Sequence, residues 1–457
     1  MWKIITVLSG AKVNLHFDTI QDAEFGLHAF GGSTIKLQFN RFYLNYVGVF
    51  ADGGSINQIA PMLGNRFYTN GSFLPTYTGQ TNSPGAYGYC GVLVKNAVFS
   101  VGALTSSAPN YFYDLYNGII GINSDLTATK ANIHDLITIR SRLQPARKFS
   151  NADGDGIFTN NSTLTALSNT ISVTNGAITD YQGKSLIAYD NNISNTVSGI
   201  YCAFPKIECY MDKNQITNYY LYGIGVSAPQ SKIALMITRT DTFSSSTSSS
   251  LSGGSTAIYL ENVVASNLAQ VQGNKMILDP YANGIILKNC QNIGLQENSG
   301  TYNGITTRNG IGLYTSFSNV VYGNRIADTV STPRTQGNAF FFNDSRANKV
   351  CCNYSSGTRS GFHFVNTSTM RHLLRTNQIN HHRIGLECDT STNIDFQFNA
   401  GNRWTGNYTN YSSAHFGSQT DIFNSRFHVA NCTTQGWPKD PIFPTQNCNP
   451  IGPLNND

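Results

Sequence analysis

Charge is what this chain of 457 residues has least of. Asp, Glu, Lys and Arg make up 12% of it, about half the usual share of roughly 25%. The net charge is +5 and no basic cluster occurs. That removes the electrostatic case for a nucleic-acid partner. No apolar run approaches the ~18 residues of a helical membrane span. The first apolar run, residues 4–8, is shorter than the core of a secretory signal, and no small-residue cleavage site follows it. It reads instead as a strand of a first coil. Helical periodicity is missing as well, since apolar residues alternate with period two over short stretches. Disorder is excluded, because 40% hydrophobic residues with 26 Phe and 24 Tyr are enough to build a core.

What is present is a repeat. Between residues 273 and 404 the chain returns to the same pattern roughly every 24 to 29 residues. One marker is an Asn: Asn274, Asn298, Asn324, Asn348, Asn377 and Asn402. An apolar residue follows two positions later in five of the six. About ten residues downstream a small residue, usually Gly, opens a short apolar strand. Gly284, Gly310, Ala339, Gly361 and Gly385 are these openers. Two short strands per repeat at this period predict a stacked solenoid. The expected fold is all-β: a single-stranded right-handed parallel β-helix with coils about 4.8 Å apart.

Earlier openers fall at Gly26, Gly48, Gly91, Gly118, Gly156, Gly176, Gly199 and Gly223. They give about fifteen coils and a rod of about 70 Å at one coil per strand spacing. The solenoid is expected over residues 1–430 as one domain. Loop insertions are expected at about 65–89, 100–117 and 240–256, the last rich in Ser and Thr. Residues 431–457 read as a tail or linker. No capping helix is apparent, which suggests a piece of a longer chain. Of the nine Cys, Cys202, Cys290 and Cys388 fall in or beside the strands as small core residues. Cys351 with Cys352, and Cys432 with Cys448, are the pairs that could form disulfides.

The Asn-x-Ile and Gly-Ile strand repeats resemble the right-handed parallel β-helix superfamily that includes pectate lyases. Met1-Trp2-Lys3, residues 19–23 with 26–29, and residues 401–404 are similar to segments of large secreted β-helix proteins of bacteria with the type IX secretion route. The resemblance implies an extracellular or cell-surface protein.

Fold alone does not name a function, so the outward-facing residues have to. Alternation turns Ile384, Leu386 and Cys388 inward, and Arg383, Gly385, Glu387 and Asp389 outward. One coil back, Arg359, Gly361 and His363 face out; further back, Arg308, Gly310, Gly312 and Tyr314 do, with Phe341 between. Arg308, Arg359 and Arg383 share one offset, two residues before the opener. An Arg ladder beside aromatic rings suits an acidic glycan, because guanidinium binds carboxylate in a bidentate fork and rings pack on sugar faces. The competing reading pairs each Arg with a neighbouring acid. The ligand-binding set is therefore Arg308, Tyr314, Phe341, Arg359, His363, Arg383, Glu387 and Asp389.

The expected partner is a polysaccharide or cell-surface glycan, with other domains of a longer chain as further partners. If the chain is an enzyme, it is a polysaccharide lyase or glycoside hydrolase, and Arg383, Glu387, Asp389 and His363 would serve it. The third reading is a structural spacer of a larger adhesin. Polygalacturonase motifs are absent and the acids number only 25, so binding is favoured over turnover. No cofactor is required. Calcium is considered at Asn151, Asp153 and Asp155, whose alternate oxygens precede Gly156; Ser162 stands where a closing Glu is expected. A plain Asp/Gly turn is the simpler account. His381 and His382 cannot share one ion, because adjacent strand residues point to opposite faces.

Overall fold

A computed structural model describes residues 2–70, 88–136, 154–228, 232–245, 256–278, 281–302, 308–328, 332–366, 372–395, 397, 402–416, 420 and 425. The chain forms two compact units, Met1–Ser227 and Ala228–Asp457. Each is a parallel β-solenoid whose named elements are all strands. No described helix is long and apolar enough to cross a membrane.

In the first unit nine strands stack in parallel. They run from Trp2–Val7 through Ala23–Phe30, Val47–Ser55, Cys90–Val101, Asn117–Ile122, Ile157–Asn160, Thr170–Tyr181 and Asn192–Ala203 to Gln215–Ser227. In the second unit seven stack: Thr256–Glu261, Asn283–Lys288, Asn309–Tyr314, Asn338–Asn343, Ser360–Val365, Ile384–Cys388 and Tyr411–His415. In the second unit Gly284, Gly310, Ala339, Gly361 and Gly385 each stand second in their strand, and the coil count is close to that expected. Between Thr170 and Ser227 one long and one short strand alternate, while many coils carry three strands rather than two. In one coil they are Asn309–Tyr314, Val320–Tyr322 and Arg325–Ala327. The additional strand has three residues, too few for alternation to show in sequence.

Parallel register puts like residues above like. Ile311, Phe340, Phe362 and Leu386 form one inward column; Leu313, Phe342, Phe364 and Cys388 form the next. All eight are at most 1% exposed. Phe340 stacks on Phe362 at 4.6 Å and Phe342 on Phe364 at 4.7 Å, so the aromatic rings add to area burial.

The corners are held by amides. Asn274 Nδ2 donates to Asn298 Oδ1, and the chain of bonds continues through Asn324, Asn353 and Asn377 to Asn402 at 2.9–3.0 Å. Asn348 is not in this column. It accepts from Asn319 at 3.1 Å in a second ladder at another corner. The residue before five of the six ladder Asn turns left-handed: Gly273 (φ 67), Glu297 (φ 53), Gly323 (φ 65), Cys352 (φ 59) and Thr376 (φ 49).

The opener glycines answer a different need. A Cβ on Gly361 would lie 2.5 Å from the Gly385 carbonyl oxygen and 2.8 Å from Ile379 Cγ2. One on Gly284 would lie 2.2 Å from the Gly310 oxygen. The opener therefore stands where coils approach closely and its missing side chain would meet a buried Ile. This corrects the outward placement of Gly361 and, by the Ile326 contact 2.3 Å from its Cβ, of Gly310.

Of the described aromatic residues in the first two insertions, Phe67, Tyr89, Phe112 and Tyr116 are buried in the core, while Tyr68, Tyr111 and Tyr113 are half-buried. Phe42, Phe67 and Phe112 stack at 4.7 and 4.8 Å, and Tyr46, Tyr89 and Tyr116 join one buried cluster. Tyr68 stacks on half-buried Tyr113 at 5.0 Å, and Tyr113 on His134 at 5.3 Å. Residues 71–87, 246–255 and the expected tail 431–457 lie outside the described residues, as do Cys432 and Cys448. Cys351 and Cys352 are free thiols.

Candidate functional site

The outer face of the strands Asn338–Asn343, Ser360–Val365 and Ile384–Cys388 gathers most of the expected residues. Register stacks Gly312, Phe341, His363 and Glu387 in one outward column. Alternation thus brought His363 beside Glu387, as expected. Glu387 is only 2% exposed although it points away from the core. Its neighbours cover it. Arg359 Nη2 donates to Oε1 at 2.5 Å, and the Ser360 hydroxyl donates to Oε2. Two charge-assisted bonds offset the loss of water around the carboxylate.

His363 sits among acceptors. Its Nδ1 lies 3.3 Å from Asn338 Oδ1 and 3.9 Å from Glu387 Oε2. Its Nε2 lies 3.1 Å from Asp389 Oδ2, off the line that a hydrogen bond requires. The Asn338 orientation is supported by its Nδ2 donating to Asn309 Oδ1 at 2.9 Å. The ring can donate from Nδ1 to Asn338, and its Nε2 can share a cation with Asp389. His363, Glu387 and Asp389 each bring one ligand atom within 4.8 Å of the others, so among the described residues these three could hold a cation.

The aromatic side of the site is continuous. Tyr314 lies 5.4 Å from Phe341, and Phe341 meets the His363 ring edge-on at 5.3 Å. The Tyr314 hydroxyl accepts from Asn309 Nδ2 at 2.9 Å. Burial pushes its pKa up, a little relieved by that bond and by Arg308.

The Arg ladder is broken. Gly337 fills the slot between Arg308 and Arg359, since Ser360 N–H donates to the Gly337 carbonyl. Arg359 is spent on Glu387, as the ion-pairing reading expected. Arg383 Nε donates to the Asn410 side-chain oxygen at 3.0 Å, with the amide oriented by its hydrogen bonds. Arg308 is exposed at the far edge. Asn309, Asn338 and Ser360 were missed by sequence reasoning. Their shared offset, one residue before the opener, is the signal that could have found them.

His382 is wholly buried and bonds Thr358 Oγ1 and Ser355 Oγ at 3.0 Å each. Burial lowers its pKa to about 4, against bonds to Thr358 and Ser355 that raise it. It is a corner residue, separate from His363. At the considered calcium turn, Asn151 and Asp153 lie outside the described residues. Asp155 is buried and accepts from Thr179 Oγ1 at 2.7 Å. Ser162 is buried in a hydroxyl pair with Ser124 at 3.3 Å.

No protein-family model and no curated protein matches this sequence. Solved structures with a similar chain path include a double mutant of the tailspike protein of E. coli bacteriophage HK620, with 13% identity, 82% of this chain and 69% of that chain covered, and a TM-score of 0.39. The periplasmic alginate epimerase AlgG has 10% identity, coverages of 91% and 84%, and a TM-score of 0.35. The A-module of the Azotobacter vinelandii mannuronan C-5 epimerase AlgE6 has 12% identity, coverages of 91% and 88%, and a TM-score of 0.22. Likenesses of this size carry no statement about ligand or chemistry, which rests on the side chains.

Proposed function

We propose that the lateral face of the second unit binds an acidic glycan at the site around His363. The observation that carries this is the buried Glu387 network on an outward column. It fixes Arg359 and Ser360 in place, with His363 3.9 Å from Glu387 and edge-on to the Phe341 ring. Arg383 and Asp389, both half-buried, form the rim. Arg383 would meet a sugar carboxylate, Asp389 and His363 sugar hydroxyls, and Phe341 an apolar ring face. Preorganised polar groups of this kind cost little entropy on binding. The protein then acts outside the cell or at its surface, the address implied by short motifs that resemble those of type IX-secreted β-helix proteins.

A second reading is a polysaccharide lyase or glycoside hydrolase on the same glycan. Its support is the 3.1 Å approach of His363 Nε2 to Asp389, with a second carboxylate close by. A base held by an acid, and two carboxylates at short range, are what such reactions use.

The test is a glycan array on the purified chain, wild type beside Arg383→Ala and Phe341→Ala. Product release from any bound polysaccharide is followed by ultraviolet absorbance and by a reducing-end assay. Binding to uronic-acid glycans that both substitutions weaken at least tenfold is expected. Turnover abolished by His363→Ala would promote the enzyme reading. No binding to any glycan would overturn the proposal and favour a structural spacer.

A further inference from the structure

The first unit holds a pair of thiols that the lateral site does not use. Cys202 lies on Asn192–Ala203 and Cys209 on Glu208–Asp212, with a corner between them at Phe204 (φ 56). Both point into the core of one coil. Cys202 stacks in register with Asp180, and Cys209 with Leu186. They are 0% and 1% exposed. Their sulfurs stand 2.8 Å apart, less than an ångström beyond the ~2.0 Å of a covalent bond. Two unbonded sulfurs do not pack so closely without repulsion.

We infer that Cys202 and Cys209 are a cross-linking site, oxidised to a disulfide that staples one coil of the first unit across its corner. The step balances with a small-molecule disulfide, such as oxidised glutathione, as the oxidant. The Cys202 thiolate attacks one glutathione sulfur and releases one reduced thiol. The Cys209 thiolate then displaces the second, forming the protein S–S bond. Two S–H bonds are lost from the protein and two are gained by the oxidant. The thiol protons pass through the solvent to the two glutathione thiolates released.

Burial sets the order of events. No oxidant or reductant reaches sulfurs that are this covered, so the bond forms before the neighbouring coils close over it. Once the coil is stacked, the bond is protected. This marks a structural cross-link rather than a switch, and suits a chain that folds in an oxidising compartment. The inference stands apart from the glycan reading.

Trypsin separates the two cysteines, because Lys206 lies between them. The full chain is refolded in a glutathione redox buffer, and free thiols are blocked with N-ethylmaleimide in denaturant without reductant. After digestion, peptides 185–206 and 207–213 are expected as one linked species that separates on reduction. Cys352, which is exposed, should carry the label in the same sample. Native protein held in dithiothreitol before blocking should keep the link, while urea-unfolded protein should lose it. Finding both peptides separate and fully labelled after refolding would overturn the cross-link. Loss of the link from native protein would overturn its place as a protected core staple.

Discussion

Replacing Asn324 with Ala tests whether the amide ladder holds the second unit together. Asn324 is 0% exposed. Its Oδ1 accepts from the Asn298 backbone N–H at 3.0 Å and from Asn298 Nδ2 at 2.9 Å. Its own Nδ2 donates to the Leu295 carbonyl at 2.8 Å. Truncation leaves two buried donors with no acceptor and removes a donor from two oxygens, Leu295 O and Asn353 Oδ1. At about 1–3 kcal/mol per buried unsatisfied group, the loss should be about 3 kcal/mol or more. Asn402 provides the internal control. It accepts the same two bonds from Asn377 and donates to Leu374 O, but it is partly exposed. Water can replace its partners there, so Asn402→Ala should cost about 1 kcal/mol. Urea unfolding followed by Trp404 fluorescence, with Trp2 and Trp437 changed to Phe, reports on the second unit, where Trp404 is buried. Equal losses for the two substitutions, within about 0.5 kcal/mol, would refute the ladder as the source of stability.

Gly361→Ala should destabilise the same unit by about 1–3 kcal/mol, because a backbone oxygen at 2.5 Å cannot move aside. Gly300→Ala, whose nearest neighbours are the side-chain ends of Ile326 and Leu278, should cost less in the same urea assay; the reverse order would count against the close-approach account. His372 and His382 give the second unit a pH dependence. Burial lowers both folded pKa values to about 4 from 6.5, so on acidification the unfolded chain takes up protons first. The stability tied to each is full above pH 6.5 and is lost as pH falls toward 4, at most about 3 kcal/mol per histidine. His382→Gln should flatten the fall between pH 7 and 4.5 seen in thermal melts, and an unchanged slope would show that the buried ring is not its cause.

Much of the fold was legible because a coil repeats the same demand at the same place. Gly361 is required by a neighbouring carbonyl, and Asn324 by the amide stacked on it, so both recur at nearly one period. Asn348 was misplaced for a physical reason. Two corners of the coil carry Asn ladders, and both follow a left-handed residue, Ala347 (φ 54) in one and Cys352 (φ 59) in the other. Asn348 and Asn353 are five residues apart, and only their hydrogen bonds tell them apart. The third strand per coil was hidden by its length. The Cys202 and Cys209 pair was hidden because its two strands lie on different faces of one coil, and period-two alternation says nothing about contacts across a corner.

The site was legible in position and not in pairing. Backbone register places His363 beside Glu387, and register follows from alternation and coil length. Where a long guanidinium reaches does not follow from either, and Arg359 went to Glu387, 28 residues on and one coil away. Ion pairing and ligand binding were set against each other in the sequence, yet the structure makes one serve the other. The bond from Arg359 removes a charge that could have met a ligand, and it holds Glu387 fixed beside His363. Such a pair is a poor way to stabilise a coil, because an apolar column like that of Phe340 and Phe362 would bury as well without the cost of desolvating a carboxylate. A buried acid, an arginine and a histidine among acceptors on an outward column depart from the local consistency of the apolar columns beside them. Departures of that kind fall where a chain has something to bind or to transform.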